Sequence, residues 1–583
     1  MKQPFIVSTL PDFRLNEDVP PYYLSPYVAH CFERLGKRLE GDKAAPYLCQ
    51  NGSEQERLVS WVRERHLRYI DILAPRLNAI HGTQFSREFW HRSLSMGFER
   101  FIIFTMEMFL TADTYFNPDK HTGLVMTNES LYTPVDPDEQ RWFVEHRDFG
   151  RQQLFSEYLK EFYPGDFSEV STRYDSDYQV RQIRLSTGLD PVVGIMGAWF
   201  AEGYLRELVN ETQGRIHLIG FTREVFQPED ALELSKRIQL TAPIPGADEF
   251  DRYFFRCLRF LMPRTFVEHF HANIISIRSQ FSYMKNLKYV VSEMWVGEGI
   301  EPLALALLRE DMGVQLIYNE HNYIEYPFRG SLSPRWAELC DVYAAHGDYA
   351  EHIGDNAKSL GLLYDFGKKS LPDDQKNKFD LTYINGRSFA SDGGELSGSA
   401  ISAGNGWASM GKYKSRRAFF GELSDEAKSV MHFRGYPTDD YAKYWDAFYD
   451  DELILGDLLK GIERADFSLT GQQTILASKL VVIDYFYTSA LEALALNVPT
   501  VILCAMHQEY FAVAFKDTLK DLIEVGIVQT DPVQAAHFVE KVRHAPLQWW
   551  EEPEVQKAKD AFLKLHTGDP ALMLDYLKGL ATE

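Results

Sequence analysis

Residues 478–504 read SKLVVIDYFYTSALEALALNVPTVILC, and this stretch limits the fold of the chain more sharply than any other. Leu480, Val481, Val482 and Ile483 are apolar at consecutive positions, as in a strand covered on both faces of a parallel sheet. Thr500, Val501, Ile502 and Leu503 repeat that pattern. Between the two runs Ala490, Leu491, Leu494, Ala495 and Val498 recur at helical spacing, with Thr488 and Ser489 where an N-cap belongs. The stretch is therefore a strand-helix-strand unit. Its first strand delivers Asp484, Tyr487, Thr488 and Ser489 to the helix N-terminus, where unpaired N–H groups and the positive dipole end favour an anion such as phosphate. Glu492 falls three residues after Ser489, so the pair also reads as an ordinary capping box, the commoner meaning of an isolated S-x-x-E.

A second such unit lies upstream. Residues 288–295 form a strand that feeds Gly297-Glu298-Gly299, a helix over 301–310 and another strand over 314–318. That strand ends in Asn319-Glu320-His321-Asn322. A carboxylate and an imidazole at a strand's carboxyl edge suit acid–base work; structural hydrogen bonding is an equal alternative. Before this unit, 54–80 is helical and closed by Gly82, and Ser86 opens a long apolar-faced helix. His81, Trp90 and Arg92 there are packing and capping residues. Residues 111–171 read as a helical insertion with loops, 195–209 as helix and 215–221 as strand.

With 583 residues the chain exceeds one hydrophobic core, so at least two domains are expected. A polar stretch, LPDDQKNK, ends at Lys378 and separates the two α/β regions. The division is 1–370, a helix-rich α/β domain; 371–565, a second α/β domain; and 566–583, a terminal helix or tail. After the strand at 379–384, residues 391–417 form a loop rich in small residues. Gly404-Asn405-Gly406 begins like a dinucleotide fingerprint, but Ser409 stands where the third glycine belongs, so no NAD site is read. With Lys412, Lys414, Arg416 and Arg417 the loop suits a phosphate or plain surface exposure. A strand over 429–434 brings His432 and Arg434 toward it.

Lys+Arg 61 against Asp+Glu 84 gives a net charge of −23, which argues against a broad nucleic-acid surface. Five scattered cysteines with no C-x-x-C pair point to a reducing compartment without a disulfide framework or zinc knuckle. No signal-peptide pattern and no apolar run long enough to span a bilayer is present, which implies a cytoplasmic protein with room for peripheral membrane contact. Asp439-Asp440 and Asp450-Asp451 read as solvated charge, so no metal ligand set and no cofactor is expected.

Two α/β regions, the second carrying a glycine loop, a basic cluster, an arginine strand and a Thr-Ser-x-x-Glu helix, resemble the two-domain GT-B layout of nucleotide-sugar glycosyltransferases. LNAIHGTQFSREFWHRSL, HFRGYP, LVVIDYFYTSALEALALNVPTVIL, LIEVGIVQTDPVQAAHFVEKV and WWEEPEVQKAKDAF are similar to a family of transferases encoded in O-antigen and other surface-polysaccharide gene clusters. Where that family shows a Gln-His-Gly-Gly turn, this chain has Asn319-Glu320-His321-Asn322, so only the histidine carries over. The Arg434 strand and the Thr488-Ser489 helix also resemble phosphate elements of bacterial transferases that use CMP-activated ulosonic acids, such as sialyl- and Kdo-transferases.

The resemblance implies a metal-independent glycosyltransferase moving a sugar from a nucleotide-activated donor, leaning to a CMP-ulosonic acid, onto a cell-surface glycan or lipid-linked acceptor at the inner membrane. Its catalytic residues would be His321, Glu320 and Glu298. Its nucleotide and phosphate residues would be Gly404, Gly406, Lys412, Arg434, Thr488, Ser489 and Glu492. The alternatives are a sugar-nucleotide epimerase of similar layout and a non-catalytic nucleotide-sugar or glycan-binding protein.

Overall fold

A computed structural model of the protein describes residues 2–7, 21–24, 52–146, 148–165, 167–172, 174, 190–196, 202–220, 231–292, 300–320, 333–361, 371, 375–385, 406–435, 455–484, 488–504 and 516–583. Two long helices lead, α1 (Gly52–His81) and α2 (Arg87–Tyr115). In α1 Leu58, Val62, His66, Ile70, Leu73 and Leu77 recur three or four positions apart where they share the buried face. Gly82, at φ +63, stops it. Ser86 caps α2 by accepting the Phe89 N–H at 3.0 Å. His81 and Trp90 pack as expected: the His81 ring stacks on Phe270 at 4.3 Å, and Trp90 Nε1 donates to Asn78 Oδ1 at 3.1 Å. Helix α3 (Glu249–Leu261), opened by a reciprocal capping box between Asp248 and Asp251, closes over this bundle.

The bundle packs on a six-stranded parallel sheet made of β1 (Val193–Met196), β2 (Ile216–Leu218), β3 (Tyr289–Ser292), β4 (Gln315–Asn319), β5 (Val342–Ala345) and β6 (Ala357–Ser359). Helix α4 (Glu301–Met312) joins β3 to β4, and α5 (Ser333–Leu339) precedes β5. The spatial order is β6-β5-β4-β3-β1-β2, so the winding reverses between β1 and β3. The sequence predicts a helix over 195–209, but 193–196 is a central strand and the helix spans only Glu202–Glu211. Gly194 hides the strand pattern. A Cβ there would lie 2.3 Å from Ile219 Cδ1, so the Ile219 side chain packs directly on the bare backbone at this position.

A second parallel sheet contains β7 (Leu381–Ile384), β8 (Met431–Arg434), β9 (Glu463–Arg464), β10 (Val481–Ile483), β11 (Thr500–Leu503) and β12 (Val528–Gln529), in the order β9-β8-β7-β10-β11-β12. Counted from its own first strand this is 3-2-1-4-5-6, the doubly wound order of Rossmann domains. Its helices include α6 (Gly406–Glu422), α7 (Gly471–Leu476), α8 (Thr488–Ala495) and α9 (Pro553–Thr567), after which α10 (Pro570–Thr582) ends the described helices. Tyr383, Phe419, Phe433, Val482, Leu491, Val501 and Phe562 share its core. The part of the small-residue loop from Gly406 onward is the helix α6, so Lys412, Lys414, Arg416 and Arg417 ride on a helix rather than a loop. The chain then returns. Met573, Leu574, Leu577 and Leu580 of α10 join Val193, Ile195, Tyr289 and Ile317 of the first sheet in one core. The α/β class and the paired Rossmann-like sheets expected from the sequence are both present.

Candidate active site

In a doubly wound sheet the strands on either side of the winding reversal send their connections to opposite faces, which opens a crevice at their carboxyl ends. In the second sheet those strands are β7 and β10. Asp484, directly after β10, is buried there and accepts from Arg416 Nε of α6 and from Tyr383 OH of β7, the latter at 3.2 Å. Arg416 is 1 % exposed. This ion pair ties α6 to the crevice floor. It takes Arg416 away from the phosphate role its basic neighbours suggested, while Lys414 is exposed.

Helix α8 begins at Thr488, so its N-terminal N–H groups open at this carboxyl edge. Ser489 is partly exposed in its first turn. Glu492, one turn in, is 5 % exposed, and its Oε1 accepts from Gln472 Nε2 of α7 at 3.1 Å. Arg434, the last residue of β8, donates through Nη1 to the Leu469 carbonyl at 3.0 Å and to Thr474 Oγ1 at 3.2 Å. Its guanidinium lies over the Phe467 ring at 4.9 Å. The segment 467–474 thus touches both Arg434 and Glu492, one on each side of β7. Gly406 is the first residue of α6 and Lys412 lies within that helix; Gly404 lies outside the described residues.

At the first sheet's carboxyl edge Glu320 follows β4 and is 1 % exposed. Its N–H donates to the Ala344 carbonyl at 3.1 Å, and its carbonyl meets His346 Nε2. Its Oε2 accepts from Tyr349 OH and from the His346 N–H, the latter at 3.3 Å. Burial pushes the Glu320 carboxyl from 4.5 up to about 7; the bonds from Tyr349, His346 and Tyr343 only partly oppose it. Glu320 is therefore held on three sides by residues 343–349, at the point where the chain leaves for His321. His321 and Glu298 lie outside the described residues.

Helix α9, which packs on the second sheet, reaches this cluster. His566, in the last turn of α9, faces the Tyr349 ring at 5.8 Å and packs on Phe562 at 4.2 Å. Backbone meets backbone here: a Cβ on Gly347 would lie 1.9 Å from the Leu565 carbonyl oxygen, and one on Gly568 would lie 2.2 Å from that of His346. Sequence reasoning named Glu320, Arg434, Ser489 and Glu492, which the structure places at the carboxyl edges of the two sheets; it did not name Gln472, His346 and Tyr349, which touch Glu492 and Glu320. The run Ala344-Ala345-His346-Gly347-Asp348 carried a signal for the latter pair, namely small strand residues, then a histidine and a glycine. Nothing local marks Gln472, whose partner is twenty residues further along the chain. Among the described residues no group of three or more His, Cys, Asp or Glu is arranged to hold a metal ion, and no helix is long and apolar enough to cross a membrane.

Solved structures similar to this chain include the wall teichoic acid polymerase TagF, at 11% identity over 68% of this chain and 88% of that one, with a TM-score of 0.33. The glycotransferase of kitacinnamycin matches at 11% identity, 68% and 100% coverage and a TM-score of 0.35. MurG of Acinetobacter baumannii matches at 9%, 66% and 99%, with a TM-score of 0.32. No curated protein matches the sequence. The family described as LIC12162 family transferase matches residues 4–572, nearly the whole chain. The protein belongs to the LIC12162 family of transferases.

Proposed function

We propose that the group this transferase moves is a sugar, carried from a nucleotide-activated donor to a surface glycan or lipid-linked acceptor. The observation that carries the reading is the second sheet's crevice. A doubly wound order, a glycine-rich segment directly after its first strand, and a helix opening on the crevice beside a buried carboxylate suit a nucleotide's phosphate and ribose. The N–H groups of α8 at Thr488 and Ser489, with Lys412 and Arg434, receive the phosphate; Gly404 and Gly406 let the backbone approach it; Glu492 accepts from the ribose hydroxyls.

His321, at the head of the segment that leaves Glu320, acts as base and Glu298 is the reserve. It takes the proton of an acceptor hydroxyl whose oxygen bonds to the anomeric carbon. The bond from that carbon to phosphate breaks, and the leaving phosphate is stabilised by fixed dipoles and cations rather than by a metal ion. Glu320, buried and triply held, orients rather than reacts.

The donor class we favour is a CMP-linked ulosonic acid, because the elements around one phosphate resemble those of CMP-dependent transferases. The site of action is the cytoplasmic face of the inner membrane. Thermal shift with CMP, CDP, UDP, GDP and dTDP tests the reading, since a ligand at about 100 times its dissociation constant adds about 2.7 kcal/mol. A response to CMP and CDP is expected. If only UDP or dTDP acts, the ulosonic donor is wrong; if none acts, nucleotide-sugar transfer is wrong.

A further inference from the structure

The contact between Gln472 and Glu492 is built with more care than helix packing needs. Both side chains are buried, at 7% and 5% exposure. Two apolar residues would join α7 to α8 without the desolvation cost that an amide and a carboxylate carry. The turn that bears Gln472 is also fixed from several directions. Thr470 caps it reciprocally with Gln473, and Thr474 Oγ1 donates to the Thr470 carbonyl at 2.9 Å. Ser478 Oγ donates to the Thr474 carbonyl at 2.6 Å and also meets Thr382 Oγ1 of β7 at 2.6 Å. Arg434 holds Leu469 and Thr474 from the other side. Gln472 therefore presents its amide from a pinned frame.

The chemistry of the pair is informative. An amide donor fixes the plane of the Glu492 carboxylate without adding charge to it. A carboxylate has about four acceptor positions, and the amide bond uses one on Oε1. Hydroxyl groups bond strongly to a carboxylate oriented in this way. Side chains on a helix lean toward its N-terminus, so Glu492 leans back toward the crevice, about one helical turn of 5.4 Å below the N–H groups at the mouth of α8.

We propose that Gln472 is a positioning residue that orients the Glu492 carboxylate toward the ribose 2′- and 3′-hydroxyls of the donor, so that the site selects ribonucleotides over 2′-deoxyribonucleotides. The inference rests on the nucleotide-binding reading above and adds to it a specificity device.

The test is isothermal titration of the full chain with CMP and UMP and with their 2′-deoxy counterparts, comparing wild type with Gln472→Met, which keeps the length and removes the donor. Wild type should prefer the ribonucleotide by about tenfold or more, the size of one hydrogen bond to a charged group. In Gln472→Met the ratio should fall toward one while the 2′-deoxynucleotide affinity stays within about twofold of wild type. A ratio that does not change, or equal weakening of both nucleotides, overturns the proposal and leaves the nucleotide site standing. If wild type binds none of the four, the nucleotide reading itself falls and this inference with it. Should Gln472→Met lose its fold, Glu492→Gln reads out the same ratio, and an unchanged ratio there overturns the proposal as well.

Discussion

Glu320 is the residue whose environment makes the sharpest demand. Its carboxyl is raised from 4.5 to about 7, chiefly by burial, so between those values the folded state binds a proton the unfolded chain has released. Stability from this group is therefore full below about pH 4.5 and is lost as pH rises through 7, a difference of order 3 kcal/mol at most. Glu320→Gln removes the titration while keeping the shape. We expect the stability of Glu320→Gln relative to wild type, measured by urea unfolding, to rise steadily between pH 5 and pH 8; a difference that stays flat with pH would show that Glu320 does not titrate in this range. Asp484 and Arg416 make a different kind of site, a buried ion pair. Arg416→Met removes the guanidinium that pairs with the buried Asp484 carboxylate and should cost about 3–5 kcal/mol. Urea midpoints of Arg416→Met and of the Arg416→Met, Asp484→Leu double variant check this, because the double variant should recover much of the loss.

Among the elements, the junction between α9 and α10 is where a single atom matters most. Gly347 and Gly568 lie where the turn after β5 and the end of α9 touch backbone to backbone, and neither position has room for a methyl group. Gly568 also takes φ 55 with ψ −168, a conformation that side chains disfavour. Gly347→Ala and Gly568→Ala should each destabilise the protein by about 1–3 kcal/mol or more, whereas Gly354→Ala, whose nearest neighbour is 3.4 Å away, should be close to neutral. Melting temperatures of the three variants decide it. The same junction shows where sequence reasoning stops. Runs such as Val481–Ile483 and Thr500–Leu503 declare themselves because burial on both faces demands unbroken apolar residues. Strand β1 stayed hidden because Gly194 answers to Ile219, a contact made by tertiary packing. Strands β5 and β6 stayed hidden too. The run Val342-Tyr343-Ala344-Ala345 is short and low in β-branched residues, and Ala357-Lys358-Ser359 lies at a sheet edge with an unremarkable composition. In the site, Glu492 was legible from its spacing to Ser489, but its amide partner comes from another helix. Glu320 was legible from its place after a strand, while its burial comes from Ala344, His346 and Tyr349, which β5 and the turn after it bring around the carboxyl.

At the scale of the molecule, the chain crosses from the first sheet to the second and then comes back, and this return decides how it unfolds. Helix α10 follows the last residue of the second core, yet Met573, Leu574, Leu577 and Leu580 are buried among Val193, Ile195, Tyr289 and Ile317. Its spacing of three and four residues gives one apolar stripe, and that stripe covers one face of the first sheet. Outside this stripe α10 is tied by Lys578, which pairs with Glu207 at 3.6 Å and with Glu211. The first sheet therefore lacks part of its cover until the second domain has been traversed, and opening the second domain pulls on that cover through α9. Leu577→Ala, at a fully buried position, should cost about 2–5 kcal/mol by the cavity it leaves. Because the helix serves the first core, the loss should fall there. Wild type should unfold in one calorimetric transition, with the two cores coupled through α10. In Leu577→Ala the first core should melt earlier and split from the second, giving two transitions, of which only the upper rises when a nucleotide that binds the second domain is added. One transition in the variant, shifted as a whole, would mean that the coupling runs through contacts other than α10.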